Sequence, residues 1–250
     1  MADLSISIVS HGQASLVTKL LQDIERYCGS TSLEVILTLN VPETLLFLPS
    51  EFAFPLRVIR NEFPQGFGEN HNAAFRQSNG CYFCVMNPDI RLSNNPFPVL
   101  LAQLKAQRVG LVAPQVLNPE GQREDSARKF PSPGEIIKKF FGGSSAVYGE
   151  VLAEVQQPDW VAGMFFISPR QVYAEIGGFD ERYFLYYEDV DFCARLKLAG
   201  YHIRLCSFAI VIHDARRRSH RSLVYLRWHF SSMLRFFLSD IYRKIRQVKR

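Results

Sequence analysis

Apolar positions recur along the first ninety residues in two alternating patterns. Residues 4–9, 33–39, 56–60 and 81–86 are short runs that are apolar throughout or alternate, the signature of β-strands. Between them, residues 14–27 place Leu16, Leu20, Leu21 and Ile24 on one helical face, and residues 69–78 form a second helix. Strands alternating with helices predict βαβ units and an α/β fold built on a mainly parallel sheet. The unbroken run 81–86 predicts a strand covered on both faces. Pro88 ends it, having no N–H for the ladder and forcing Asn87 to be extended, so Asp89 should emerge at the carboxyl edge of the sheet, where α/β folds bind ligands.

The alternation continues with a helix over about 96–107 and a strand at 109–113. Residues 118–149 are rich in Gly, Pro, Ser and Lys and carry no strand signal; they read as a substrate-binding lid with one short helix near 136–141. Residues 41–55 resolve into no single element. Residues 160–167 are apolar again around Gly163, Gly177-Gly178-Phe179-Asp180 is a turn, and a helix over 188–199 is stopped by Gly200. Strands at 201–205 and 209–212 follow, the second leading into His213. From residue 223 onward, aromatic residues (Tyr225, Trp228, Phe230, Phe236, Phe237) are mixed with basic ones. This pattern suits either a helix packed on the domain or an interfacial helix attracted to anionic lipid.

Composition adds boundaries. The 250 residues, 47% hydrophobic and 21% charged, are those of an ordinary globular protein with room for a sizeable core. The net charge of +5 is unevenly placed: from Arg235 onward there are six Lys or Arg against one Asp, and Arg216, Arg217, Arg218 and Arg221 lie shortly before. Such a cluster suits a polyanionic neighbour, either phospholipid or nucleic acid. Five cysteines, with Cys81 and Cys84 read as core, predict no disulfide framework and a reducing compartment. Without a signal peptide pattern or a run of eighteen apolar residues, the expectation is a cytoplasmic protein, peripheral at most on the membrane's inner face.

Candidate chemistry gathers at three places. Asp89 at a strand end can hold a divalent cation that takes its remaining ligands from phosphate and water, and His213 at another strand end can add an imidazole. Tyr186-Tyr187-Glu188-Asp189-Val190-Asp191 puts three acids in the first helical turn behind an aromatic entrance suited to stacking a sugar. A carboxylate there is suited to deprotonate a hydroxyl, while the helix macrodipole and an Asp191–Arg195 pair explain the same acids structurally. Gly66-Phe67-Gly68 lacks the third glycine of a dinucleotide fingerprint and does not follow the first strand, and no Gly-x-x-x-x-Gly-Lys run exists, which argues against a dehydrogenase or an ATPase of the corresponding types.

Six motifs in order, Ile6–Ser10, Gly66–Asn72, Met86–Asp89, Trp160–Gly163, Gly177–Glu181 and Tyr186–Asp191, closely resemble the family-2 glycosyltransferases, in particular their bacterial rhamnosyltransferase-like branch. The resemblance covers about residues 4–213. It implies a glycosyltransferase-A fold, with a mixed, mainly parallel sheet flanked by helices. It also implies a domain over 1–215 (a nucleotide-sugar half to about 110, an acceptor half after it) and a basic helical tail at 216–250. The implied reaction is metal-dependent and inverting: a sugar, rhamnose by this branch, moves from a dTDP- or UDP-sugar to a glycan or lipid-linked acceptor in the synthesis of a surface polysaccharide such as lipopolysaccharide. By the same resemblance Asp89 and His213 bind Mg²⁺ or Mn²⁺, and the general base belongs to the pair Glu188 and Asp189, with Asp189 in the matching position. Ser10, Asn40, Gly66, Asn70, Asn72, Asn87 and Asp89 would face the donor, and Trp160, Gly163, Tyr186, Tyr187 and Asp191 the acceptor. The chain departs from the family at Thr38-Leu39-Asn40, where members often carry Asp-Asn near the nucleoside. A donor of another kind, or a non-catalytic sugar-nucleotide module of the same fold, are the alternatives; nucleic acid rests on the basic tail alone.

Overall fold

The computed structural model describes residues 2–134, 155–214 and 223–248. The helix expected at 136–141, residues 135–149 of the expected lid and the arginines at 216–221 lie outside the described residues. The amino-terminal half follows the alternation closely: β1 (Leu4–Ser10), α1 (Ala14–Tyr27), β2 (Leu33–Leu39), β3 (Leu56–Arg60), α2 (Phe67–Gln77) and β4 (Tyr82–Met86). A single 3-10 turn, Pro49–Glu51, lies in the segment that resolved into no element. β3, β2, β1 and β4 are parallel neighbours, in that order. Their alternate side chains enter two cores: Ile6, Ile8, Cys84 and Met86 face α1, whereas Phe83 and Val85 face the other layer. β4 is therefore covered on both sides, as its unbroken apolar run requires. Cys81 is an exception to its reading as core, because the strand starts one residue later and leaves it exposed.

Beyond β4 the sheet becomes mixed. β5 (Ile90–Arg91), α3 (Phe97–Leu104) and β6 (Val109–Leu117) are followed by two-residue strands β7 (Ala127–Arg128), β8 (Val155–Gln156) and β9 (Trp160–Val161), then β10 (Phe165–Pro169), α4 (Arg170–Ile176), α5 (Glu188–Leu198) and β11 (His202–His213). β10 lies between β4 and β6, antiparallel to both, and β11 runs parallel to β6. β5 closes the edge, antiparallel to β11.

Two expectations change here. The segment 118–134 does contain extended structure, with β7 paired to β9 and a bridge from Leu117 to Arg123. Residues 201–212 form one strand rather than two, interrupted by a shift in register between Cys206 and Ile210. Pro114, paired with Cys206 at the edge of this shift, has no N–H to give to a neighbouring strand, and the extra residues of β11 bulge beside it.

The chain ends in α6 (Leu223–Leu238) and α7 (Asp240–Val248). Phe236, Tyr242 and Ile245 are buried in the core that also holds Phe192 and Leu196 of α5. The tail thus packs on the domain through one face, and no described helix is long and apolar enough to cross a membrane.

His71, fully buried on α2, is 2.8 Å through Nδ1 from the Ser7 hydroxyl, and its Nε2 has no partner. Burial lowers its pKa from 6.5 to about 3. The unfolded chain takes up a proton near pH 6.5 and the folded chain does not, so this site's stability is intact above that pH and falls by about 1.4 kcal/mol per unit below it. Between pH 7 and pH 5, wild type should lose about 2 kcal/mol more than His71→Asn in urea unfolding.

Candidate active site

Three clusters of polar side chains meet along the carboxyl edge of β1, β2, β4 and the start of α5. The first is an amide network. Asn40, fully buried just past β2, donates to the Gln65 carbonyl (2.8 Å) and accepts from Asn61 Nδ2 (2.7 Å) and the Gln65 N–H (2.8 Å). Asn61 Nδ2 also reaches Asn70 Oδ1 at 2.6 Å, while Asn70 Nδ2 donates to the Gly66 carbonyl at 2.9 Å. Ser10 accepts the Gln13 N–H through its hydroxyl, and its carbonyl accepts the Asn40 N–H. Ser10, Asn40, Gly66 and Asn70 are thus brought together, but the two asparagines hold the 61–66 loop rather than offering free groups. Asn72 stands apart: its amide is committed to Tyr173, Phe179 and Glu181, bracing the Gly178 turn.

The second cluster surrounds Asp89. Residues 87–89 turn the chain out of β4, and β5 pairs Ile90 with His213 of β11, which places the imidazole beside the carboxylate from 124 residues away in sequence. His213 Nε2 lies 3.3 Å from Asp89 Oδ2, and Nδ1 lies 2.6 Å from Glu124 Oε2. Asp89 Oδ1 is buried without a partner. Burial alone would lower the His213 pKa, but the hydrogen bonds and charges of Asp89 and Glu124 outweigh it and raise it to about 9. Glu124 was missed in the sequence. Its signal was the turn Asn118-Pro119-Glu120-Gly121-Gln122, in which Asn118 Oδ1 accepts the Gln122 N–H and Gly121 takes a positive φ of 78°, folding Glu124 back onto β6. Because the two carboxylates flank opposite nitrogens of the ring, only Asp89 shares the Nε2 side with a prospective ligand.

The third cluster is Glu188–Asp189 at the start of α5. Asp189 Oδ2 accepts the Gly163 N–H (3.0 Å) and Oδ1 the Val190 N–H (2.8 Å), whereas Glu188 Oε2 is buried without a partner. Burial, then the charge of Asp189, pushes Glu188 well above the usual carboxylate range. Burial also raises Asp189, against the pull of its backbone donors and of Arg128. Asp189 has the Gly163 and Val190 N–H groups as donors besides its own, whereas Glu188 has only its own backbone N–H, so a proton shared by the pair belongs on Glu188. Arg128, on β7 opposite Trp160, was a further residue missed, because that short strand carried no pattern.

Tyr186 and Tyr187, just before the acids, have φ of 70° and 66°, a left-handed conformation rare for bulky residues and common where a site holds strain. Tyr186 is half-buried against the His229 ring at 5.2 Å, and Trp160 Nε1 donates to the Lys129 carbonyl. Asp191, expected on the acceptor side, is instead closed off: it is 2% exposed and paired with Arg195 at 2.7 Å, the helix-bracing alternative.

Two adjacent residues tie the second and third clusters together. The Met164 carbonyl accepts the Asn87 N–H at 2.8 Å, and the Gly163 N–H holds Asp189. A Cβ at Gly163 would lie 3.1 Å from the Phe67 ring and 3.7 Å from the Asp189 Cβ, so glycine lets this backbone pass between them.

The mixed sheet, with an antiparallel strand beside the parallel set, is an α/β fold that carries these acids at its carboxyl edge, where such folds bind ligands. The Glycosyl transferase family 2 model matches residues 5–152, more than half of the chain, and the chain belongs to this family. Rhamnosyltransferase WbbL of Escherichia coli (strain K12) is 28% identical over 92% of this chain and 91% of its own. An N-acetylglucosaminyl-diphospho-decaprenol L-rhamnosyltransferase of Mycobacterium tuberculosis is 32% identical over 62% of this chain, which spans about half (54%) of that relative. Among solved structures, GalNAc-T7 with UDP, GalNAc and Mn²⁺ superposes with a TM-score of 0.71 at 15% identity, over 95% of this chain and 48% of that one. The mannosyltransferase PcManGT from Pyrobaculum calidifontis, with GDP-Man and Mn²⁺, gives 0.63 at 16% identity, over 94% of this chain and 64% of its own. These likenesses establish the glycosyltransferase-A fold, and the family makes the chain a glycosyltransferase.

Removing the Asn40 side chain should collapse the first cluster. Asn40→Ala leaves the Gln65 N–H without its side-chain acceptor and the Gln65 carbonyl with only the longer 3.2 Å bond from Asn70 Nδ2, and a polar group orphaned in this way costs about 1–3 kcal/mol. Urea unfolding should show a loss on that order, with the glycosyltransferase-A fold retained by circular dichroism.

Proposed function

We propose that the protein transfers rhamnose, with inversion, from a nucleotide-diphosphate sugar to a lipid-linked saccharide in surface polysaccharide synthesis. The observation that carries this reading is the Gly163–Met164 link, which fixes an orphaned carboxylate oxygen on Asp89 and a hydrogen-bonded carboxylate on Asp189 within one rigid frame. The sugar is suggested by the printed names of the rhamnosyltransferase relatives, and the lipid-linked acceptor by the name of the mycobacterial one.

Asp189 is the base. Its carboxylate, whose negative charge the Gly163 and Val190 N–H groups favour against burial, receives the proton of the acceptor hydroxyl as that oxygen attacks the anomeric carbon. Glu188, holding its own proton, keeps a second negative charge out of the pocket. Tyr186 and Trp160 offer apolar faces to the acceptor sugar. A single displacement needs no covalent nucleophile, consistent with one base. At the donor end, the 61–66 loop braced by Asn40 and Asn70 shapes the nucleoside side, with Ser10 and Gly66 beside it, and Asn87 flanks the diphosphate.

The residues around Asp89 fit a divalent cation, Mg²⁺ or Mn²⁺: an unpartnered buried carboxylate oxygen and an imidazole nitrogen share one side. Among the described residues no three acidic, histidine or cysteine side chains are arranged to hold a metal ion by themselves, Glu124 being on the far side of the His213 ring, so such a cation would draw on the donor's phosphates for its remaining ligands. When bound, it would neutralise the departing diphosphate. Glu124, accepting from Nδ1, orients His213 with Nε2 directed to the site.

Asp189→Asn should lower kcat by about 10²–10⁴-fold with donor binding unchanged, whereas Glu188→Gln, already neutral in its role, should stay within about tenfold of wild type. Equal loss in both would remove the assignment of the base. Calorimetric titration of dTDP- and UDP-sugars should show binding that needs Mn²⁺ or Mg²⁺ and disappears in Asp89→Ala. In Glu124→Gln the cation affinity should weaken by about 10–100-fold. Cation-independent binding, unaffected at Asp89, would overturn the metal-assisted reading.

A further inference from the structure

α6 is apolar on two opposite faces. Its inner face packs on the domain: Trp228 lies 4.7 Å from Phe184, His229 touches Tyr186 and Tyr187, and Ser232 and Phe236 are buried. The outer face is a stripe of five large side chains in helical register, Leu223, Leu226, Phe230, Leu234 and Leu238, with exposures between 42% and 82%. A helix already docked by one face has no folding reason to carry five more exposed apolar residues, and a contiguous patch of this kind marks an interaction surface.

Charge identifies the occupant. After residue 214 the chain carries eleven Lys or Arg and one Asp, whereas residues 1–214 hold 18 Lys or Arg and 23 Asp or Glu. The whole positive excess therefore belongs to the tail, and the body is net negative. On α7, Arg243, Lys244 and Arg246 are exposed beside buried Tyr242 and Ile245. A second copy seated on the stripe would bring an equally basic tail into the same contact, which like-charge repulsion opposes. A bilayer surface rich in anionic phospholipid supplies both acyl chains for the stripe and negative headgroups for the flanking cations.

We propose that the outer face of α6 docks on an anionic phospholipid surface. Leu226, Phe230 and Leu234 enter the headgroup–acyl boundary and the basic side chains engage the headgroups. Since a helix is about 10 Å across, the aromatic turn on its inner face then lies about one helix diameter from the bilayer. On the transfer reading above, this places Asp189 where a lipid-anchored saccharide is presented.

The test is flotation of the full chain with vesicles of phosphatidylcholine alone or with phosphatidylglycerol, for wild type and for a variant carrying Leu226→Ser, Phe230→Ser and Leu234→Ser. All three positions face solvent, so the variant should keep its circular dichroism and its binding of nucleotide diphosphate. Wild type should float with the phosphatidylglycerol vesicles alone, and the variant should bind at least tenfold less. Equal binding to both vesicles, no binding to either, or undiminished binding by the variant would overturn the proposal. So would a wild-type dimer in sedimentation that the variant abolishes, since the stripe would then belong to a second copy. Nucleotide-diphosphate binding reports on the transfer site separately, so failure of one reading is not mistaken for failure of the other.

Discussion

The structure depends on one narrow passage of backbone, where β10 enters the sheet next to β4. Gly163 and Met164 face in different directions across that passage, one N–H to Asp189 and one carbonyl to the Asn87 N–H. The constraint is steric as well as polar, because the Phe67 ring lies where any side chain at 163 would begin. An antiparallel strand inserted between parallel neighbours is what permits the arrangement: β10 starts where β4 ends, so its first residues reach the carboxyl edge. A further parallel strand would bring only its terminus there, with the chain running on into a crossover.

The Asp89 cluster shows the same economy by a different route. Asp89 and His213 are held together by the pairing of β5 with β11, and Glu124 arrives through a turn that closes on β6, the other neighbour of β11. Three residues remote in sequence thus depend on adjacent ladders of one sheet edge. Burial works against a charge on the imidazole between the two carboxylates, but their hydrogen bonds and charges outweigh it, and a cation at Nε2 would take the place of the proton held there. The same buried setting leaves Asp89 Oδ1 without a donor, a cost that a ligand-free scaffold would not be expected to keep.

Much of this was legible in the sequence where one physical cause dominated. The strands and helices of the first ninety residues have strong periodicity and clear punctuation, and α1, β2 and β3 fall on their expected bounds. Asp89 and His213 could be placed because Pro88 and the end of an apolar run each mark a strand terminus. Arg128 could not, since it sits in a two-residue pairing whose existence is decided by partners, not by local pattern; the turn before Glu124 is legible, but its docking on β6 is set by the isolated Leu117–Arg123 bridge. The bulge in β11 escaped notice for a related reason: it lies beside a proline in a neighbouring strand. Asp191 illustrates the converse. Its spacing from Arg195 already described a helix brace, and the pair is what the fold contains.

The tail and the turn that precedes Glu188 are not separate features. Two consecutive bulky residues in the left-handed region cost on the order of 1–3 kcal/mol each, and they persist only where the surroundings over-determine them. Here the surroundings are α6: Trp228 against Phe184, His229 against Tyr186, and Phe236 and Phe237 against Tyr187. The Ser232 hydroxyl adds a 2.8 Å bond to the Leu185 carbonyl inside the same turn. The turn in turn sets the first residue of α5, and so the directions in which Glu188 and Asp189 point. A helix that clamps the Tyr186–Tyr187 turn with one face and presents an apolar stripe with the other connects whatever that stripe touches to the directions of Glu188 and Asp189, by direct contact through a single layer of aromatic rings.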